Sequence, residues 1–223
     1  MSELVLALDT TREAGSLALT EGERTVREME LRAPDGFGQV LFQGIQELLD
    51  SASVKLQECR VFAAASGPGS FTGVRIGLAC IKGLAEAMDR PAFGISNLEA
   101  LAEFGHAESR VAVIDARRGE VYAAVYGRAP RSEMVVSFSE LLASLSSNGT
   151  EFIATDAAAL RSILRGTAFE EAMITAAPPA QAAAIARLAW RGCRAGVSGD
   201  AAGIEPNYVR RSDAEMLWRP PPV

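Results

Sequence analysis

The chain has 223 residues, with 22 Lys and Arg against 28 Asp and Glu, and a formal net charge of −6. Its composition, 48% hydrophobic and 22% charged, excludes global disorder, and its acidity excludes a protein that binds nucleic acid through its own surplus of cations. A single histidine, His106, excludes any mechanism or metal site that draws two from one chain.

The length suits one large domain or two small ones. Cys59, Cys80 and Cys193, an odd number at wide spacing, read as reduced thiols of a cytosolic protein. Met1-Ser2-Glu3-Leu4 lacks a basic leader and Asp9 interrupts the first apolar run, so no secretory signal is expected. No stretch approaches the roughly 18 apolar residues of a membrane helix. A cytoplasmic protein without a membrane partner is the expectation.

In chain order, Leu4 to Leu8 is continuously apolar and stops at Asp9-Thr10-Thr11, as in a strand buried on both faces. Strands follow at Ser16 to Thr20 and Thr25 to Leu31, around the turn Glu21-Gly22-Glu23. Phe37, Val40, Leu41, Gly44, Ile45, Leu48 and Leu49 recur at helical spacing after the break Pro34-Asp35-Gly36. A buried strand, Val61 to Ala65, leads through Gly67-Pro68-Gly69-Ser70-Phe71-Thr72-Gly73 into a helix from Val74 to about Met88. A strand from Pro91 to Ile95 then meets Ser96, the cap of a helix from Asn97 to Glu103.

The second half predicts strands at Val111 to Asp115 and Glu120 to Tyr126 around Ala116-Arg117-Arg118-Gly119. Two helix–strand units follow: Ser139 to Ser146 with Phe152 to Thr155, and Ala157 to Leu164 with Ala172 to Thr175. After Pro178-Pro179 comes an alanine-rich helix, Gln181 to about Cys193, and then an irregular segment from Glu205 to Val223. Each half opens on a strand ending in aspartate, forms a hairpin and continues in helix–strand alternation. That weak duplication favours two α/β lobes with mixed sheets flanked by helices.

Asp9 and Asp115 end matching strands, where such folds build ligand sites. Together they would hold a hydrated divalent cation against nucleotide phosphates; singly, each would cap its own turn. The three glycines of the Gly67 to Gly73 loop either expose backbone amides to an anion or permit close packing of strand and helix. The loop is neither a Walker motif nor Gly-x-Gly-x-x-Gly. The following helix is apolar nearly all round, with Arg75, Lys82 and Glu86 as its polar exceptions. It is expected to be buried on a second side, by the Phe37 helix or by a partner protein. With one histidine, nucleophile–base pairs and the ligand set of a metallopeptidase are missing.

Five segments in order, Leu6-Ala7-Leu8-Asp9-Thr10-Thr11, Gly67-Pro68-Gly69-Ser70-Phe71-Thr72-Gly73-Val74-Arg75-Ile76-Gly77-Leu78, Gly94-Ile95-Ser96-Asn97-Leu98-Glu99-Ala100-Leu101, Asp115-Ala116-Arg117-Arg118-Gly119-Glu120-Val121-Tyr122 and Pro206-Asn207-Tyr208-Val209-Arg210, resemble the TsaB (YeaZ) family. The resemblance spans nearly the whole chain and rests above all on the Gly67 to Gly73 stretch. It implies a two-lobed actin-like ATPase (ribonuclease H-like) fold. The lobes would be 1–97 and 98–223, with the 181–193 helix packing back toward the first.

The resemblance also implies a non-catalytic subunit, without cofactor or metal, of the machinery that places threonylcarbamoyladenosine in tRNA. Its partners would be a TsaD-like catalytic subunit and, in the larger complex, a TsaE-like ATPase. Transfer RNA would be reached only through the complex, and the chain would self-associate when alone. The partner surface is expected on Phe37, Val40, Leu41 and Ile45 of one helix and Ile76, Gly77, Cys80, Ile81 and Leu84 of the next. Residual nucleotide binding would fall on Asp9, Thr10, Thr11 and Asp115. Phe37-Gly38 stands where many relatives carry His-Ser, which voids any role built on that histidine. The competing class is an independent nucleotide hydrolase or small-molecule kinase using Asp9 and Asp115.

Overall fold

The computed structural model describes residues 3–127, 132–146 and 149–210. The order of elements is a repeat. Strands β1 (Leu4–Asp9), β2 (Ala14–Glu21) and β3 (Arg24–Arg32) lead to α1 (Phe37–Ser51), then β4 (Val61–Gly67), α2 (Phe71–Met88), β5 (Ala92–Ser96) and α3 (Asn97–Ala102). The same succession returns as β6 (Ser109–Arg117), β7 (Glu120–Tyr126), β8 (Glu133–Ser137), α4 (Phe138–Ser144), β9 (Thr150–Ala154), α5 (Ala157–Leu164), β10 (Met173–Ala176) and α6 (Ala182–Arg194).

The sheets match in topology: β3-β2-β1-β4-β5 in the first, and in the second β10-β9-β6-β7-β8, the same order read from the other edge. In each, the first strand is antiparallel to the second and parallel to the fourth. The duplication faint in the residues is thus plain in the topology.

Continuous apolar runs make the central strands because both faces are covered. In β1, Leu4, Leu6 and Leu8 face the core under α1 and α2, whereas Val5 and Ala7 face α6. In β4, Phe62 and Ala64 belong to the first core and Val61, Ala63 and Ala65 to the second. Fully buried Leu6, Leu8, Leu17, Leu41, Leu48 and Phe62 each contribute about 1.5–3 kcal/mol on removal from water.

The alanines of α6 let it lie close on the first sheet, on β1, β2, β4 and β5. Its first amides are satisfied from that sheet: Ser16 Oγ accepts from Gln181 N and Ala182 N, and Glu28 Oε1 accepts from Ala183 N at 2.8 Å. Helix α3 begins at Asn97 and sits between the sheets, with Leu98, Leu101 and Ala102 packed against Ala112, Ala124 and Ile153. No helix of the described residues is long and apolar enough to cross a membrane.

Two expectations need revision. Strand β8 was not foreseen, because its five residues are all half-buried and carry no alternation. The helix expected from Ser139 to Ser146 begins at Phe138, since Ser137 accepts from Glu140 N while Glu140 Oε2 accepts from Ser137 N, a reciprocal cap. The irregular tail is described only as far as Arg210; its remainder, 211–223, lies outside the described residues.

The second lobe depends on one buried carboxylate. Glu151 Oε2 accepts from His106 N and Ala107 N, both at 2.6 Å, and Oε1 accepts from Thr175 Oγ1 at 2.5 Å. Burial alone would raise its pKa, but these donors more than offset it and hold the group below its usual value. Glu151→Ala strands two backbone amides and is expected to cost about 3 kcal/mol in urea unfolding at pH 7. Because the native pKa is the lowered one, this stabilisation is complete above the unfolded carboxyl's value of about 4.3 and fades as pH falls through the native one. Glu151→Gln, which keeps an acceptor, should retain most of the stability and lose its dependence on acid.

Candidate functional site

The carboxyl ends of β1, β4 and β5 meet in a buried polar knot. Asp9, Thr10, Thr11 and Asn97 are each 1–2% exposed. Asp9 Oδ1 accepts from Thr11 N at 2.8 Å and Thr11 Oγ1 at 2.6 Å, while its Oδ2 lies 3.5 Å from both Arg12 Nη2 and Asn97 Nδ2. Asn97 donates from Nδ2 to Thr11 Oγ1 at 2.8 Å and accepts from Gly67 N at 3.0 Å. Arg12 also donates to Gln181, tying the knot to α6. Asp9 therefore holds its own turn and faces a cation the chain supplies, which is the capping arrangement.

The glycine loop packs onto that turn. A Cβ on Gly73 would stand 1.9 Å from Thr10 O, one on Gly69 2.7 Å from Thr11 Cβ, and one on Gly77 2.5 Å from Thr10 Oγ1. Thr10 Oγ1 donates to Gly73 O at 2.7 Å, and Ser70 N donates to Thr11 O at 2.8 Å. Of the two readings of these glycines, close packing is the one with contacts behind it. Ser70 caps α2 by accepting from Gly73 N at 3.2 Å.

Asp115 differs from Asp9 in setting. It is exposed, and its Oδ1 accepts from Arg117 N at 2.8 Å. The turn it caps is unusual: Arg117, Arg118 and Gly119 all take left-handed conformations, with φ of 62°, 56° and 80°. This turn and the glycine loop wall a cavity of about 270 Å³ between the sheets, closed by Asn207, Tyr208, Val209 and Arg210. Arg117, Arg118 and Arg210 line it, and among the described residues no acidic side chain does. At its rim, Tyr208 stacks on Phe71 with ring centres 5.5 Å apart, and the Arg75 guanidinium lies 3.6 Å over Phe71.

The helix faces named as a partner surface need correction. Phe37, Leu41, Ile45, Gly77, Cys80 and Ile81 are all buried in this chain, turned onto the first sheet. Val40, Ile76 and Leu84 are half-exposed at the rim. Apolar periodicity marks the face that meets the sheet, and only residues off that face are free for a partner. Those include Phe42, 64% exposed, on α1, and Ala79 and Gly83 on α2. The outer face of α2 looked apolar because its residues are small.

Other chemistry is poorly supplied. Burial pushes the Cys59 thiol up to about 12 and the Cys80 thiol up to about 11, so neither is a thiolate at neutral pH. Among the described residues, no three His, Cys, Asp or Glu side chains gather closely enough to hold a metal. Sequence reasoning missed Arg12, and it read Asn97 only as a helix start. Nothing local links Asn97 to partners more than 80 residues away.

Comparison with known proteins gives one consistent neighbourhood. A family model described as TsaD, tRNA N6-adenosine threonylcarbamoyltransferase, matches residues 35–218. The tRNA threonylcarbamoyladenosine biosynthesis protein TsaB of Haemophilus influenzae is 43% identical over 124 residues, 53% of this chain and 51% of its own. Its Escherichia coli counterpart is 39% identical over 128 residues, 56% of this chain and 55% of its own. The chain thus spans about half the length of the curated relatives it matches.

Among solved structures, YeaZ from Pseudomonas aeruginosa superposes with a TM-score of 0.77 at 30% identity, covering 92% of this chain and 99% of that one. Component A of the (R)-2-hydroxyglutaryl-CoA dehydratase of Acidaminococcus fermentans has a TM-score of 0.55 at 12% identity, over 86% of this chain and 100% of its own, and shares the fold alone. The two-lobed actin-like architecture expected from the sequence is the one observed.

Proposed function

We propose, from the premise that this chain belongs to the tRNA N6-adenosine threonylcarbamoyltransferase family as a TsaB (YeaZ) member, that it is the supporting, non-catalytic subunit of an assembly that installs threonylcarbamoyladenosine in tRNA. The name shared by its curated relatives supports the pathway. The observation that carries the supporting role is the engagement of Asp9. A carboxylate that is 1% exposed, holds its own turn and faces Arg12 is not a vacant ligand for a cation–phosphate pair.

The partner in this reading is a TsaD-like catalytic subunit, met by the outer faces of α1 and α2. Phe42 offers an exposed aromatic anchor, and Ala79 and Gly83 offer a flat helix surface. A TsaE-like ATPase joins the larger complex, in the cytoplasm. With a net charge of −6, this chain leaves most of the tRNA's phosphate neutralisation to its partners.

Co-expression with a TsaD relative tests the reading. A co-eluting pair is expected on size-exclusion chromatography, with threonylcarbamoyl transfer by the pair and none by this chain alone. Separate elution at micromolar concentration would sink it. So would calorimetric binding of ATP and magnesium by the isolated chain that Asp9→Asn abolishes in a variant that still melts cooperatively.

A further inference from the structure

We propose that residues 199–210 are a two-part clasp across the interlobe cleft, fixed at one end and releasable at the other, and that its release opens the cavity beside the glycine loop. After α6 the chain returns along the first sheet, where Gly199 O accepts from Ala92 N at 2.9 Å. Ile204 packs into the first core above Gly94, whose Cβ would stand 2.8 Å from it. This proximal half is held by apolar burial and backbone pairing.

The distal half shares one backbone bond to the first sheet and is otherwise held by side chains that reach the second lobe. Asn207 N donates to Ser66 O at 2.7 Å on the first sheet, while its Nδ2 donates to Glu133 Oε2 at 2.5 Å on the second. Tyr208 Oη accepts from Arg75 Nε at 2.9 Å. Arg210 donates to Ala116 O at 3.1 Å and pairs with Glu120. Within four residues the chain crosses from one lobe to the other; the Tyr208–Phe71 stack is open to water, at 46% and 50% exposure, whereas the Asn207 and Arg210 contacts are part-buried. Such contacts stabilise little individually, so this end opens at a far smaller cost than global unfolding.

Two further features make the device directional. Helix α3 is buried against both sheets and keeps the lobes joined when the clasp is undone. The turn that Arg210 grips is the strained one, with Arg117 and Arg118 in left-handed conformations that side chains disfavour. Undocking Arg210 therefore removes a restraint from that turn. It also withdraws four residues from the cavity wall. The inference rests on the fold and not on the assignment to tRNA modification.

Hydrogen exchange on the full chain tests it, comparing the native protein with an Asn207→Ala, Arg210→Ala double variant. Amides of 115–120 and 207–209 should exchange at least about tenfold faster in the variant, with β1 and β4 unchanged and the melting temperature within about 2 °C. Arg210→Gln alone, which leaves Asn207 in place, carries the test if the double variant does not fold. Unchanged exchange at 115–120 overturns the proposal. So does protection lost equally through the first sheet, which would make the segment an integral part of the core.

Discussion

Replacing Gly73 with alanine is expected to destabilise the protein by about 3 kcal/mol or more, since a Cβ there makes a closer contact than at any other glycine of the chain. The added Cβ would stand 1.9 Å from the backbone oxygen of Thr10, a contact no side-chain rotation relieves. Relief requires α2 and the Asp9 turn to move apart, which also breaks the bond from Thr10 Oγ1 to Gly73 O and disturbs Asn97 and Arg12 beyond it. Gly38→Ala is the control, since a Cβ there meets nothing within 4 Å on an exposed helix position. Urea unfolding of the two variants separates the readings of the loop. A Gly73→Ala protein of native stability would mean that the turn and the loop are not packed as described.

The architecture was legible wherever a strand or helix had one unambiguous neighbour. The apolar runs of β1 and β4 announced burial on both faces, and the spacing of Leu41, Ile45, Leu48 and Leu49 announced α1. Strand β8 was not legible, because a half-buried strand at the edge of its sheet carries no alternation to detect. Its neighbour α4 does carry a signal, Ser137 three residues before Glu140, and that pair marks the helix start better than Ser139.

The site was less legible, for a physical reason. Asp9 and Asp115 both lie near the carboxyl end of the first strand of a repeat, and from residue types alone they form a pair. Their environments are set by groups far away in sequence. Asn97 and Arg12 close around Asp9, whereas Asp115 lies two residues before the end of β6, beside a turn exposed to solvent. The expected partner surface meets a related difficulty. Hydrophobic periodicity identifies what a helix buries, so Phe37, Leu41 and Ile81 were named although the sheet had already claimed them. The residues left outside are small or isolated, and Gly83 and Ala79 have no pattern of their own.

That difference gives the second large effect. Ala79→Glu is expected to weaken pairing with a TsaD-like subunit about 30-fold or more, the scale of a hot-spot loss of about 2 kcal/mol, while leaving the isolated chain folded. Ala79 is exposed on α2 and one turn from Gly83, so the new carboxylate stays in water in the free chain and is desolvated in a pair. Gly83 sharpens the test. An alanine there meets nothing within 4 Å and replaces an exposed glycine in a helix interior, which should stabilise the isolated chain by about 0.5–1 kcal/mol. A chain selected for its own stability gains nothing from this glycine, whereas one whose helix is closely approached does. Gly83→Ala should therefore raise the melting temperature and lower the affinity together, a combination that damage to the fold does not produce. Ile81→Glu, by contrast, places a charge at a position that is 0% exposed and should unfold the chain, which makes it uninformative about pairing. If Ala79→Glu and Gly83→Ala both bind with native affinity, the outer face of α2 is not the contact, and Phe42→Glu then decides whether α1 is.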